Sequence, residues 1–283
     1  MRLIGFLIFV FSFQFANAQL EINETKYDEG TFFAPPFNMS KVDFELTDLL
    51  ANDGSSQLCA PMAITHAFEF LKRYRNPGFA NLPRVADLDH DGVEDTFKDR
   101  IRYFFQTCST DKNTGTLYRQ AIGCMDAFIK LSAYQSWAYM IGPHSANAPA
   151  GSPLDAVQHV LRLGDIKYYV ANQAAVLMGI GWYKFNAATQ MWERTGGHFF
   201  NLYGYAAMAG WGEDQSDLFV VNSWIDYRSR PTNQYYDTIK ISSTRYLAQG
   251  TVPSEVAYEL TGNGFDFAGY KAFVEDIFVA FPY

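Results

Sequence analysis

An α+β domain, helices first and sheet second, is the architecture expected of this chain. Between residues 56 and 133, apolar residues recur with helical spacing. From residue 174 onward, apolar and aromatic runs of strand length take over. No internal repeat or low-complexity tract interrupts this order. Segregated helices and strands of this kind suggest two lobes around a cleft.

The N-terminus reads as an export signal. Arg2 supplies a positive start, Leu3 to Phe13 is almost wholly apolar, and Ala16-Asn17-Ala18 is a small-x-small cleavage site that leaves Gln19 as the mature N-terminus. The apolar run is shorter than the roughly 18–20 residues that span a bilayer, and no later segment is long and apolar enough to do so. The expectation is a signal peptide at 1–18, cleavage near Ala18, and a secreted or periplasmic protein without a membrane span. Residues 19–50 read as an N-terminal extension with an extended Pro35-Pro36 stretch and two glycosylation sequons, at Asn23 and Asn38. Residues 51–283 form the expected domain.

Within that domain, Asn52 to Ser56 reads as a turn. Leu58, Met62, Ala63, Phe68, Leu71 and Tyr74 then mark a helix, with Ser55 or Ser56 as its cap, Pro61 in its first turn and Asn76-Pro77-Gly78 as its stop. Residues 95–107 form a second helix with Phe97, Ile101, Phe104 and Phe105 on one face. Residues 116–133 form a third with the stripe Leu117, Ile122, Met125 and Ile129. Ser152-Pro153-Leu154-Asp155 opens a fourth, closed by Gly164, and a short helix from Asp165 to Asn172 follows. Ala174 to Tyr183 is a continuous apolar run that suits a buried strand. His198 to Tyr205, Leu218 to Trp224, 236–241 and 275–282 are the further strands.

The chain has 283 residues, 48 % of them hydrophobic and 17 % aromatic, enough for a substantial core. Its formal charge is −8, and its Lys and Arg residues are scattered. An acidic chain without a basic patch excludes nucleic acid and anionic membrane as partners. Three cysteines are present. In an exported protein an odd count leaves one thiol over. Cys108 and Cys124, at the ends of two helices joined by a polar loop, are the natural disulfide pair. That leaves Cys59, at a helix start, as the thiol available for chemistry.

A cysteine nucleophile needs its thiolate stabilised, a base, a group that orients the base, and N–H donors for the oxyanion. Each part is present. Cys59 lies where a helix N-terminus favours an anion. His198 follows Thr195-Gly196-Gly197 at the start of a strand, and Asn222 ends the next strand in Asn222-Ser223-Trp224. If those strands pair antiparallel, His198 and Asn222 meet at one end. The remaining histidines, His66, His90, His144 and His159, lack such a context. His66 and His159 read as structural.

These residues give the chain a resemblance to papain-like cysteine peptidases. The motifs are Gln57-Leu58-Cys59-Ala60-Pro61, Gly197-His198 leading to Gly204-Tyr205, and Asn222-Ser223-Trp224. The Cys-Ala-Pro start is closest in style to the bacterial C39-like branch. His198 lies 139 residues after Cys59 and Asn222 lies 163 after it, against about 130–150 for the family. The excess for Asn222 comes from the Ala206–Ser216 insertion. The resemblance implies a two-lobed papain-like fold, with a helical N-terminal half whose cysteine helix packs on an antiparallel sheet from the C-terminal half. It also implies a Cys59-His198-Asn222 triad, with Trp224 shielding the His198–Asn222 hydrogen bond. The family's glutamine upstream of the cysteine has no match at Asp53. Gln57 is the expected second oxyanion donor, with Asn52 as the other candidate.

The implied activity is hydrolysis of a peptide or amide bond in a peptide or protein substrate, with no catalytic cofactor. Two rivals accompany it: acyl transfer through the same triad, in the transglutaminase manner, and a binding module whose site has lapsed. Trp137, Trp182 and Tyr183 suit either a cleft or a core.

Asp87, Asp89, Asp91 and Asp95, with Gly92, match positions 1, 3, 5, 9 and 6 of a calcium-binding loop. Position 12 is Lys98 instead of a bidentate Glu. The segment is either a structural calcium site or a solvated acidic turn. A calcium-stabilised surface or adhesion protein is therefore a further, non-enzymatic expectation.

Overall fold

The structure, a computed structural model, describes residues 21–22, 46–51, 56–71, 87–88, 90–131, 137–141, 161–172, 174–207, 215–223, 237–244 and 257–281. The signal peptide, the sequons, Pro35-Pro36, the 52–55 turn, the 76–78 stop, the Ser152 helix start, Asp89, Trp224, His144, His159 and the side chain of Trp137 lie outside them.

Four α-helices occur among the described residues: α1 (Cys59–Phe70), α2 (Phe97–Thr107), α3 (Tyr118–Leu131) and α4 (Leu163–Ala171). The strands are β1 (Glu21–Ile22), β2 (Trp137–Ile141), β3 (Ala175–Asn186), β4 (Met191–Ala207), β5 (Gln215–Val221), β6 (Asp237–Thr244), β7 (Ala257–Gly262) and β8 (Tyr270–Phe281). Every pairing between them is antiparallel. The order β4-β3-β8-β7-β6-β5 closes on itself because β5 also pairs β4. The result is a closed six-stranded barrel, which leaves no open sheet edge in the ring.

This corrects the expected two-lobed papain-like arrangement. The N-terminal half is not a helical lobe: β1 is hydrogen-bonded to β4 and β2 to β8, so both are stitched into the barrel's own sheet. The short helices cover the barrel wall, with α1 and α4 each packed on β3 and β4. One continuous core results, joining α1, α3 and α4 to the buried residues of the strands.

Closure depends on long strands that change partners. The 17-residue β4 pairs β3 through Leu202 and β5 from Asn201 to Ala206. A register shift between Leu202 and Gly204 bends it at the changeover, as bulges do. β8 serves β3, β7 and β2 in the same way. The continuous apolar run of β3 is buried from Ala175 to Tyr183, as a strand covered on both faces requires.

Several element expectations are refined. His198 and the two glycines before it lie inside β4, not at a strand start, because β4 begins at Met191 as one arm of a hairpin with β3. Gly164 sits in the first turn of α4 and closes nothing. Leu117 is 59 % exposed, whereas Ile122 and Met125 are buried; the side chain of Ile129 is outside the described set. Tyr183 and Trp182 are core residues, and His66 is buried edge-on against Phe97.

Candidate active site

Cys59 is the first residue of α1. The helix is buried on nearly all sides. One face joins Leu58 and Met62 to Phe97, Ile101 and Phe105, and the other joins Ala63, Ala67 and Phe70 to the barrel. Its N-cap is Leu58, which makes no side-chain cap; Ser56 does not serve, and Ser55 lies outside the described residues. Without a side-chain cap, the first-turn N–H groups keep their partial positive charge for an anion at Cys59. Asn201 of β4 fixes the depth of the helix, its Nδ2 donating to the Ala63 carbonyl at 2.9 Å. The cysteine helix and the histidine strand are therefore bonded to each other directly.

Cys108 and Cys124 form a disulfide, and Cys59 is the one cysteine outside it. Cys59 is half-buried and faces a cleft of about 780 Å³. One wall is Thr114 to Arg119, and the other is Arg194 to Phe199 of β4, including His198. Gln57 also lines the cleft, its Oε1 lying 3.3 Å from the point a Cβ on Gly115 would occupy. Three of the four expected catalytic residues thus share one cleft, and the fourth stands behind them.

That fourth residue is Asn222, one position beyond β5 and fully buried. The register of β4 with β5 pairs Asn201 with Val221, which brings the end of β5 back toward His198. His198 Nε2 lies 2.9 Å from Asn222 Oδ1. An amide oxygen only accepts, so Nε2 carries the proton in this bond. In the neutral ring Nδ1 is then the basic nitrogen. The imidazole is 1 % exposed and stacks near Phe200 at 6.1 Å.

Sequence reasoning missed the cluster behind this wall. Glu275 of β8 has a fully buried side chain. It accepts hydrogen bonds from the Tyr118 hydroxyl at 2.6 Å, the Tyr183 hydroxyl at 2.7 Å, Arg194 Nε at 2.7 Å and Arg194 Nη2 at 3.0 Å. Tyr118 comes from one cleft wall and Arg194 from the other, so a single carboxylate ties the walls together. Burial, then the nearby Glu275 and Asp276 carboxylates, raise the Tyr118 pKa well above its ordinary value. Tyr118 therefore stays a donor. Burial alone would lower the Arg194 pKa, but Glu275 more than offsets it and the net shift is upward.

The glycines near the site make room for this cluster. A Cβ on Gly197 would stand 2.5 Å from Arg194 Nη2 and 3.0 Å from the Ile180 carbonyl oxygen, and one on Gly179 would stand 2.5 Å from Tyr118. The only early sign of Glu275 was an acidic pair, Glu275-Asp276, inside the apolar run Phe273 to Phe281.

The acidic loop lies apart from the cleft. Asp87 accepts the N–H groups of Asp91 at 3.1 Å and Gly92 at 3.0 Å, Asp91 accepts that of Val93 at 2.8 Å, and Asp95 that of Leu88 at 2.7 Å. Gly92, at φ 86°, supplies the left-handed turn. Among the described residues, which omit Asp89, no group of three or more metal-capable side chains is assembled. No helix among them is long and apolar enough to cross a membrane.

No protein-family model matches the chain, and no curated protein sequence matches it.

Proposed function

We propose that the chain is an exported thiol hydrolase acting on a peptide or amide bond, with Cys59 as nucleophile, His198 as base and Asn222 as the orienting residue. The observation that carries this reading is the buried 2.9 Å His198–Asn222 bond in the wall of the cleft that Cys59 enters. The catalytic order resembles that of papain-like peptidases, here on a closed barrel.

In the reaction, the Cys59 sulfur attacks the acyl carbon and the thiol proton passes to His198 Nδ1. The Cys59 backbone N–H and the Gln57 amide donate to the oxyanion. The carbon–nitrogen bond breaks, and the leaving amine takes the proton from His198. Water then hydrolyses the thioester, releasing the acid and restoring the thiol. The disulfide and the signal-like N-terminus support export into an oxidising compartment.

The test is alkylation of the native protein with iodoacetamide near neutral pH. Cys59 should be labelled, while Cys108 and Cys124 resist. Cys59→Ala should abolish hydrolysis of a peptide library, and His198→Ala should slow it about 10²- to 10⁴-fold. An inert Cys59, or hydrolysis that survives Cys59→Ala, refutes the proposal. Product analysis with an added primary amine separates acyl transfer from hydrolysis.

A further inference from the structure

The chain is acidic, with 30 Asp and Glu against 22 Lys and Arg, yet the charged side chains lining the cleft are all cationic. They are Arg119 and Arg194, and among the described residues no carboxylate lines the cleft. The two arginines differ in how they are held. Arg194 is fixed: Nε and Nη2 are engaged by Glu275, whose side chain is fully buried, while Arg194 remains 36 % exposed. The positive end of that pair therefore faces the cleft.

Arg119 is exposed, and its side chain makes no ion pair or hydrogen bond among the described residues. It occupies the first turn of α3, where a cation opposes the helix dipole. The helix gains nothing from a guanidinium there, whereas an anion in the cleft would gain from both. Leu117, 59 % exposed on the same wall, gives an apolar contact beside it.

Resting on the thiol-hydrolase reading, we infer that the cleft selects acyl substrates bearing a carboxylate near the scissile bond. Arg119 grips that carboxylate as a mobile fork, and Arg194 supplies a fixed positive field. The carboxylate is either an acidic side chain or a chain terminus.

Iodoacetate and iodoacetamide test this, because they share a leaving group and differ in charge. The Cys59 thiolate displaces iodide from either one, and any contribution of the His198 imidazolium is common to all variants compared. The ratio of iodoacetate to iodoacetamide labelling rates should fall about five- to tenfold in Arg119→Glu, and by less in Arg119→Gln. The difference between variants should shrink in high salt. Protection of Cys59 from iodoacetamide then separates the two sources. N-acetylglutamate α-amide carries only a side-chain carboxylate, N-acetylglutamine only a terminal one, and N-acetylglutamine amide neither. One of the first two should protect better than the neutral compound, and Arg119→Glu should abolish the difference. Labelling by both reagents at a ratio that Arg119→Glu leaves unchanged overturns the inference alone. Labelling by neither overturns the nucleophile as well.

Discussion

At the scale of single residues, Glu275 organises more of the cleft than any catalytic candidate does. A buried carboxylate is costly unless its lone pairs are satisfied. Here two tyrosine hydroxyls and both prongs of Arg194 satisfy them. Removing one partner of such a pair typically costs about 3–5 kcal/mol; because Arg194 is 36 % exposed, solvent screening puts Arg194→Ala at the lower end. The two tyrosines would then hold a carboxylate with no counterion, and urea titration of the variant checks the loss. Gly197→Ala disturbs the same place from the backbone side, since its Cβ has no room beside Arg194 Nη2. Asn222 makes a separate contribution. In the proposed mechanism its bond holds the imidazolium that forms when His198 takes the thiol proton, and hydrogen bonds to charged groups contribute about 1.5–3 kcal/mol. Asn222→Ala should therefore slow Cys59 alkylation ten- to hundredfold near neutral pH. It should also move the rate–pH profile, a change that general loosening of the cleft would not produce.

At the scale of elements, α2 shows how local chemistry fixes a boundary. Thr96 Oγ1 accepts the Asp99 N–H at 3.3 Å, and Asp99 accepts the Thr96 N–H at 3.0 Å, a reciprocal capping box. The Thr96 hydroxyl bond is the largest cause holding the Asp99 pKa below its ordinary value. The folded pKa lies below the unfolded one, so the stabilisation is complete above the ordinary carboxylate pKa of about 3.9 and fades as pH falls through the folded value. Thr96→Ala should cost about 1 kcal/mol near neutrality, and its deficit against the parent should shrink in acid, as urea midpoints at both pH values will show. This helix was legible because Phe97, Ile101, Phe104 and Phe105 recur with helical spacing and all are buried, Phe104 in the main core and the other three against Leu58 and Met62. The apolar run of β3 was legible for a similar reason. The first half of β4 was not: Met191 to Gly197 is polar and partly exposed, and it is held as a strand by β3 and by Glu275, 81 residues away from Arg194. Short β7 escaped notice because its six residues end in Thr-Gly and show no clear alternation. Cys59, His198 and Asn222 stood out by order and spacing. Glu275 did not, because its partners at 118, 183 and 194 are far off in sequence.

At the scale of the whole molecule, barrel closure lies beyond any local pattern, because it rests on pairings such as β3 with β8, about a hundred residues apart. The barrel carries His198 and Arg194 on the part of β4 that pairs β3, and Glu275 on β8, which also pairs β3, so that wall of the cleft is tied into the sheet. The facing wall has no such lattice. Thr114 to Leu117 link α2 to α3, Tyr118 and Arg119 begin α3, and the Cys108–Cys124 disulfide, 16 residues apart in sequence, brackets the whole stretch. Closing a loop of about 15 residues stabilises by roughly 3 kcal/mol. For a domain of this size, that corresponds to a fall of roughly 6–12 °C in Tm when the bond is lost. Paired scans with and without a phosphine reductant, and of the Cys108→Ser/Cys124→Ser chain, measure it. Because the barrel wall does not depend on the bond, the reduced protein should stay folded at low temperature. Its cleft should nevertheless be altered on the α3 side: the iodoacetate preference assigned to Arg119 should weaken, while Cys59 still reacts with iodoacetamide. An unchanged Tm would show that the span is held by its packing alone. Loss of both reactivities together would show that the two walls fold as one unit.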